Sequence, residues 1–398
     1  MQIFKRDLFQ EVVSNIGLLD IVVVTGMRRV GKTFFMKSIS QYIKSTNQVI
    51  LDFENPLDRK VFEEEDYNNI IQNLSSVNTA LHIKEKIYVF LDELQAFPES
   101  VPAIKYLSDH HNIKFFVTGS SSFYLKNLFS ESLSGRKQLY ELFPLNFREF
   151  LRFKGIEYEF SNDFSQMDKS KNYIRYEKLN KYLEEYLTYG GFPQVVLAES
   201  VDKKESYVKD IFKSYFEKDV EKLADFKDIA AFRDVIILLL NRVGSRLDIT
   251  KIAKEVGTTR DTVYAYLSFL SHTYFIFLVE PHTQNVDKEI SGSKKVYICD
   301  NGILNILGKV TYGNLVENST FLALKKFQTD TRYYQRKSGA EVDFVLPEKK
   351  VCFEVKNKAF IDDVSRIRAF SGELAMDRGF VVSREFTDLS DTVLLQDL

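Results

Sequence analysis

The sequence predicts an α/β protein whose first third forms a parallel, doubly wound sheet. Three observations lead to this class. Short apolar runs rich in β-branched residues alternate with segments of helical periodicity, as in sheets covered on both faces. A glycine-rich turn joins the first run to the first helical segment, and a later run ends in two adjacent carboxylates. The expected strands are residues 20–25, 49–53, 87–91, 115–118 and 139–143.

The composition excludes several kinds of protein. The 398 residues are 44% hydrophobic and 28% charged, and the net charge of −2 provides no overall attraction to nucleic acid. The two cysteines, Cys299 and Cys352, are too few for a disulfide framework, and we expect them to be inert core thiols. The chain opens without a secretory leader pattern, and its longest strongly apolar cluster, residues 235–240, is too short to cross a bilayer. We therefore expect a cytoplasmic protein without a membrane partner.

The glycine-rich turn at residues 26–33 has the sequence GMRRVGKT, which fits the pattern G-x-x-x-x-G-K-[ST]. Such a turn points backbone N–H groups at phosphates, Lys32 adds a positive charge, and the Thr33 hydroxyl is placed to bind Mg²⁺. The pattern therefore predicts a site for ATP with Mg²⁺. The residues expected to contact the nucleotide are Gly26, Met27, Arg28, Arg29, Val30, Gly31, Lys32, Thr33 and Phe34.

The third predicted strand continues into two carboxylates, in the sequence IYVFLDE at residues 87–93. The carboxyl end of a parallel strand lies at the sheet edge where the phosphates would bind. We expect Asp92 to hold the Mg²⁺ shell and Glu93 to orient and polarise the attacking water. Together with the glycine-rich turn, this pair predicts ATP hydrolysis.

Two further residues are candidates for catalysis. Ser120 follows the fourth predicted strand and can contact the γ-phosphate or the attacking water, although the serines there can equally supply a helix N-cap. Arg136 precedes the fifth predicted strand, where a cation can stabilise transition-state charge in its own subunit or a neighbour's. The alternative for Arg136 is a surface ion pair.

The middle of the chain, residues 147–240, has helical periodicity broken by GGFP at residues 190–193. Residues 248–257 then predict a short helix ended by Gly257, followed by a second helix at 260–271 and a strand at 274–279, which is the winged-helix pattern. The residues expected on the apolar face of the second helix are Val263, Tyr264, Leu267 and Leu270. Its expected exposed residues are Arg260, Asp261, Thr262, Tyr266 and Ser268. Because that surface is nearly neutral, we expect a packing role more than DNA reading.

Two strands predicted near the carboxyl terminus, residues 341–345 and 351–356, carry charged side chains at alternate positions, Glu341 and Asp343 on the first and Glu354 and Lys356 on the second. If the strands pair antiparallel, Asp343, Glu354 and Lys356 meet on one face. Two carboxylates can hold Mg²⁺, and an adjacent lysine can position or activate water. The alternative is a hairpin with a polar outer face.

The motifs GMRRVGKT, FLDELQ, FFVTGSSS, LSGR, FPLNFREFL and GGFPQVV together resemble the predicted AAA+-type ATPases of bacteria and archaea, which lie near the STAND-like regulatory ATPases. The resemblance implies an AAA+-like P-loop ATPase core at residues 1–145, a helical lid at 146–243 and a winged helix-turn-helix at 244–282. Residues 295–398 resemble a PD-(D/E)XK domain, a restriction-endonuclease-like fold in which Glu317 matches a further acidic residue. That likeness makes Asp343 and Glu354 the expected metal ligands.

Two functions are consistent with these features. One is an ATP-driven enzyme that acts on DNA or RNA through the carboxy-terminal domain. The other is a nucleotide-dependent regulatory switch whose carboxy-terminal domain binds a protein partner without cleaving. Either can assemble as a homo-oligomer. A transcription regulator is disfavoured by the neutral helix.

Overall fold

The computed structural model describes residues 6–18, 20–119, 137–220, 226, 228–283, 292–327 and 329–398. The chain divides into two compact units. The first comprises residues 1–143 with 272–274, and the second comprises residues 144–271 with 275–398. No helix of the described residues combines the length and apolarity that a bilayer span requires.

Within the described residues, the first unit is built on a five-stranded parallel sheet with the order β2-β3-β4-β1-β5. Its strands are β1 Ile21–Thr25, β2 Gln48–Asp52, β3 Ile87–Asp92, β4 Ile113–Gly119 and β5 Lys137–Glu141. Its helices are α1 Leu8–Ser14, α2 Lys32–Ile43, α3 Pro56–Arg59, α4 Asn69–Val77 and α5 Val101–His110. Every residue of β1 and β4 is buried, as expected of central strands covered on both faces. The prediction of a parallel α/β sheet is therefore confirmed.

The second unit begins with helices. They are α6 Phe147–Phe153, α7 Phe164–Lys169, α8 Tyr173–Tyr189, α9 Pro193–Val196, α10 Val201–Tyr215 and α11 Ile229–Leu240. Helix α8 ends at Gly190, where a Cβ would lie 2.0 Å from a carboxylate oxygen of Asp300. That carboxylate accepts a hydrogen bond from the N–H of Gly191 at 2.6 Å, and it also caps the helix that begins after it. The glycine pair therefore ends α8 because a buried carboxylate occupies the space next to it.

Asp300 is a fully buried acid. Burial raises the pKa of its carboxyl to about 6, against the opposing effect of hydrogen bonds from the N–H groups of Gly191, Ile303 and Gly302. Those three donors replace the water that a carboxylate would otherwise bind. Both cysteines are also buried and neither forms a disulfide bond, and burial raises the pKa of Cys352 to about 12. The expectation of core thiols is therefore confirmed.

The predicted helix-turn-helix is α12 Ile249–Glu255 followed by α13 Arg260–His272. One detail of the prediction was wrong, because Tyr264 is 50% exposed and Tyr266 only 2% exposed. On a helix, the residues three and four positions after Val263 lie on the same apolar face as Val263, and Tyr266 is three positions after it. Its hydroxyl donates to the Asp228 carbonyl at 3.0 Å, so the tyrosine is buried without an unpaired polar group.

The second unit ends in a mixed sheet, seven-stranded within the described residues, with the order β12-β11-β10-β9-β8-β6-β7. Its strands are β6 Ile276–Pro281, β7 Lys295–Ile298, β8 Arg332–Gln335, β9 Glu341–Leu346, β10 Val351–Lys356, β11 Arg378–Ser383 and β12 Thr392–Leu394. Its helices are α14 Asn301–Leu307, α15 Tyr312–Leu324 and α16 Ile361–Glu373. The strand expected as a wing is β6, which pairs with β7 and β8 in this sheet. The domain boundary predicted between residues 282 and 295 therefore falls between two paired strands of one sheet, β6 before it and β7 after it.

Candidate functional site

The loop after β1 has a backbone that few residues can adopt. A Cβ on Gly26 would lie 2.0 Å from the carbonyl oxygen of Leu142, so this position needs a glycine. Gly31 has a φ of 98° and Arg29 a φ of 66°, both in the left-handed region. Gly31 is the N-cap of α2, which begins directly after it at Lys32. The loop therefore presents the amino terminus of a helix, where backbone N–H groups attract anions.

Lys32 lies against this loop. Its ammonium donates to the carbonyl oxygens of Gly26 at 2.9 Å and Met27 at 3.1 Å, and the residue is only 5% exposed. Thr33 beside it is exposed. A buried ammonium, an accessible hydroxyl and a helix amino terminus are the groups that a triphosphate with Mg²⁺ requires, so these residues fit that ligand.

Arg6 stabilises the loop from outside the motif. Its guanidinium donates to the carbonyl oxygens of Val30 at 3.0 Å and Phe143 at 2.6 Å, which ties the loop to the chain that follows β5. Sequence analysis missed Arg6 because an arginine twenty residues before the loop carries no local signal. Arg28 forms an ion pair of 3.6 Å with Glu54.

Asp92 and Glu93 lie at the end of β3 and share one partner. The hydroxyl of Thr118, at the end of the adjacent strand β4, donates to the Asp92 carboxylate and accepts from the Glu93 N–H at 3.0 Å. Glu93 has a φ of 55°, and its carboxylate accepts a hydrogen bond from Gln95. Because a left-handed non-glycine residue costs energy, Glu93 is held by its surroundings and not by its own preference.

A residue that contacts the Asp92 carboxylate and the Glu93 backbone is thus Thr118, two positions before the serine selected from the sequence. Ser120 and Arg136 both lie outside the described residues, and their roles stay predictions. A signal for Thr118 did exist, since it is the polar residue of the fourth predicted strand, residues 115–118, which is otherwise apolar.

The second group of candidate residues lies on β9 and β10, which pair antiparallel with Phe344 opposite Phe353. The paired residues end there, and β9 is irregular against β8 between Val342 and Val345, so the expected pairing of Asp343 with Glu354 stays a prediction. Glu354 is 6% exposed, and its carboxylate lies 2.9 Å from the Lys356 ammonium. Arg366 of α16 also contacts it, at 3.0 Å and 3.2 Å. Asp343 instead accepts the Val355 N–H at 2.8 Å.

A buried lysine that sequence analysis missed lies among the other acids. Lys295 is 1% exposed and forms ion pairs with Glu341, with Glu317 at 3.5 Å and with Asp343 at 3.6 Å. We call Glu317, Glu341 and Asp343 the acidic cluster. Burial alone would lower the pKa of Lys295, but Glu317, Asp343 and Glu341 outweigh it and raise this pKa. The lysine is therefore a stable cation inside the acidic cluster.

Glu317, on α15, is positioned by two further contacts. The Tyr297 hydroxyl donates to its carboxylate at 2.8 Å. Gly244 approaches so closely that a Cβ there would lie 2.6 Å from a Glu317 oxygen. Burial raises the pKa of Glu317, Asp343 adds to the rise and Lys295 opposes it. The carboxylate is thus fixed in place beside Lys295.

This arrangement does not fit the Mg²⁺ that a nuclease-like domain would use. Among the described residues, no three histidine, cysteine, aspartate or glutamate side chains are grouped so that they could hold a metal ion. The two expected ligands already have partners, since Glu354 contacts two cations and Asp343 contacts Lys295 and a backbone N–H. We therefore derive no catalytic step through a metal at this position.

Family comparisons agree with the nucleotide site. Residues 19–151 match the model of an AAA domain, which spans the whole parallel sheet and the loop after β1. Residues 180–313 match a domain of unknown function, DUF8612. The chain accordingly carries an AAA-type P-loop ATPase domain.

Relatives resemble the chain along most of its length. The uncharacterized protein MJ1544 of Methanocaldococcus jannaschii is 30% identical over 370 residues, which cover 89% of this chain and 78% of that one. An uncharacterized protein of Haemophilus influenzae is 28% identical over 340 residues, covering 82% and 79%. The chain belongs to the family of the MJ1544 protein.

Similar solved structures include the Aeropyrum pernix ORC1 protein in complex with DNA, with a TM-score of 0.30 and 10% identity over 75% of this chain and 90% of that one. Another is C. elegans PCH-2, with a TM-score of 0.26 and 15% identity over 67% and 64%. Likenesses at these TM-scores carry no information about function.

Proposed function

We propose that this chain binds ATP with Mg²⁺ at residues 26–33 and hydrolyses it. The observation that carries the proposal is the hydrogen-bonded link from Thr118 to Asp92 and Glu93. It holds the Asp92 carboxylate and the Glu93 backbone at the carboxyl end of β3, the edge of an α/β sheet at which ligands bind. Both carboxylates are partly accessible, so they can meet a substrate.

Each residue of the site has its own task. Lys32 and the N–H groups at the start of α2 stabilise the phosphate oxygens, because both present positive charge to an anion. Mg²⁺ bound by Thr33 and Asp92 would offset the negative charge of the β- and γ-phosphates. Glu93 orients and polarises the attacking water. Ser120 and Arg136 are proposed as further contacts to the γ-phosphate, Arg136 from its own subunit or from a neighbour in a homo-oligomer.

The hydrogen bond from Gln95 aligns the Glu93 carboxylate. Since Glu93 already has a left-handed backbone, this bond limits the carboxylate to few orientations. A carboxylate that is aligned in advance needs little rearrangement when it receives a proton from water.

The test separates binding from turnover. Calorimetry should detect ATP binding that depends on Mg²⁺ in the unaltered chain, and Lys32→Ala should weaken this binding at least tenfold. Glu93→Gln should bind ATP normally but hydrolyse it at least a hundredfold more slowly. Glu99→Gln, the same change at an exposed glutamate six residues away, is the matched control and should leave both measurements unchanged. ATP binding that persists in full after Lys32→Ala would overturn the proposal.

For the second unit we propose the regulatory switch, in which the nucleotide state of the chain controls the surface offered to a partner. Two observations support this choice over cleavage of DNA or RNA. The exposed side of α13 offers a single cation, Arg260, next to Asp261, which is too little charge to grip a phosphate backbone. In addition, the acidic cluster surrounds a lysine. The winged-helix and restriction-endonuclease-like assignments remain part of this proposal.

A switch must change shape with its ligand. Size-exclusion chromatography of the chain with ADP and with a non-hydrolysable ATP analogue should give different elution volumes, and Lys32→Ala should abolish the difference. Identical profiles with the two nucleotides, in a chain that calorimetry shows to bind both, would exclude the switch and leave the ATPase proposal standing.

A further inference from the structure

The strongest unexplained feature is a lysine in the position where sequence patterns predict a metal. Lys295 is the first residue of β7, and its side chain is 1% exposed. The ring of Tyr333 lies beneath its ammonium at 5.5 Å. Taking an ammonium out of water is costly unless opposite charges surround it. The acidic cluster supplies that compensation, with a carboxylate oxygen from each of three residues within 3.6 Å of the nitrogen.

A divalent cation cannot join this arrangement as it stands. Mg²⁺ bonds to oxygen at about 2.0–2.1 Å and needs near-octahedral geometry. An ion that bonded both Glu317 and Asp343 would lie within roughly 6 Å of the Lys295 nitrogen, given the contacts of 3.5 Å and 3.6 Å. At that separation in a buried site, the repulsion between the two cations is strong. Lys295 and a metal therefore compete for the same oxygens.

The neighbouring half of the predicted site is neutralised as well. Oxygen Oε1 of Glu354 contacts both Lys356 and Arg366, and Oε2 accepts from Arg366. Within the described residues, the four carboxylates Glu317, Glu341, Asp343 and Glu354 are thus in contact with three cations, Lys295, Lys356 and Arg366. Little negative charge is left to attract a metal from solution.

We infer that the Lys295 ammonium is the permanent cation of the acidic cluster and replaces the divalent metal of a nuclease. The carboxy-terminal domain would then fold, and bind a partner, without metal-dependent cleavage. The inference rests on the proposed nuclease-like assignment of β9 and β10. It predicts a gain of function, since removing the ammonium takes away the cation that competes with a divalent ion for the oxygens of the acidic cluster.

The experiment measures binding of Mn²⁺ by electron paramagnetic resonance, using the full chain without nucleotide. The unaltered chain should hold no Mn²⁺ that depends on Asp343, so its titration should match that of Asp343→Asn. Lys295→Gln should gain about one site, at least tenfold tighter than any in the unaltered chain, and Lys295→Gln with Asp343→Asn should lose it. Lys295→Arg keeps the charge and should gain none. Lys294→Gln, a change at the adjacent, more exposed lysine paired with Glu280, is the matched control.

Two kinds of result would overturn the inference. The first is Mn²⁺ bound by the unaltered chain and lost in Asp343→Asn, or cleavage of DNA or RNA that the same substitution abolishes. This comparison does not depend on whether Lys295→Gln folds. The second is a folded Lys295→Gln chain, with its far-ultraviolet circular dichroism preserved, that gains no site. Because nucleotide is absent, either result leaves the ATPase proposal untouched.

Discussion

Thr118 donates its hydroxyl hydrogen to the carboxylate of Asp92, across the neighbouring strands β4 and β3. The same oxygen accepts the N–H of Glu93, so one side chain holds the Asp92 carboxylate and the Glu93 backbone together. Thr118→Val removes this link while keeping the shape of the side chain. A hydrogen bond to a charged group contributes roughly 1.5–3 kcal/mol, so we expect kcat for ATP hydrolysis to fall about ten- to a hundredfold. Thr118→Ser keeps the hydroxyl and should retain most of the activity. Equal turnover by the valine and serine variants would contradict this role.

The loop after β1 should tolerate no side chain at its first position. In Gly26→Ala the new Cβ would meet the Leu142 carbonyl at 2.0 Å, and because that atom belongs to the backbone, the loop must shift. We expect ATP affinity, measured by calorimetry, to fall at least tenfold. Gly17→Ala is the control, since nothing lies within 4 Å of a Cβ there. Normal affinity in Gly26→Ala would show that the loop can move at little cost.

A pair of glycines with the same backbone tests whether Glu317 is held in place. Gly244 and Gly257 have φ values of 75° and 68°, but only the first would bring a Cβ near Glu317, since nothing lies within 4 Å at Gly257. Gly257→Ala should cost about 1–2 kcal/mol of unfolding free energy from backbone strain alone. Gly244→Ala should cost roughly 1–3 kcal/mol more because it crowds a carboxylate in a packed site.

Urea unfolding followed by circular dichroism measures both costs. The extra cost at Gly244 should disappear when Glu317 is also changed to Ala, because the crowding atoms are then gone. If the extra cost persists in this double variant, then a residue other than Glu317 causes it.

Asp300 should make the stability of the second unit depend on pH. Burial raises its pKa from 3.8 to about 6, so the folded chain binds this proton more tightly than the unfolded chain does. The stability from this group is therefore fully present below pH 4 and is lost as pH rises through 6. In free energy the loss is on the order of 3 kcal/mol, at 1.36 kcal/mol for each unit of pKa.

The measurement is the difference in unfolding free energy between the unaltered chain and Asp300→Asn, taken at intervals from pH 4 to pH 7. This difference should shrink as pH rises, since only the unaltered chain must ionise a buried group. Asp248→Asn, at the exposed N-cap of α12, controls for the removal of one negative charge. A difference that stays constant over this range would contradict the assignment.

The sheet of the first unit could be predicted because its strands are buried on both faces and so appear as continuous apolar runs. The loop after β1 could be predicted because its backbone needs two glycines at a fixed spacing, and these glycines lie close together in the sequence. Thr118 was harder to choose, since three serines follow it and the hydroxyl that contacts Asp92 depends on how β4 and β3 align.

Contacts between distant residues left no trace in the sequence. Lys295 meets carboxylates from 22 to 48 positions further along, and it stands at the start of a strand, where a lysine is unremarkable. Arg6 reaches the phosphate loop from a segment with no motif. Tyr266 was expected to be exposed, because a tyrosine is compatible with either a buried or an exposed position. Its burial depends on the hydrogen bond from its hydroxyl to the carbonyl of Asp228.

The seven-stranded sheet has a consequence for how this protein can change over evolution. Strand β6 comes before the stretch 284–291, β7 comes after it, and β6 lies between β7 and β8. A genetic exchange with a breakpoint in that stretch would take β7 and leave β6 behind, so β8 would lose its neighbour and present unpaired N–H and C=O groups to other molecules. The carboxy-terminal sheet therefore needs β6 in the same chain as β7 and β8. New combinations of modules in this family should join upstream of α12.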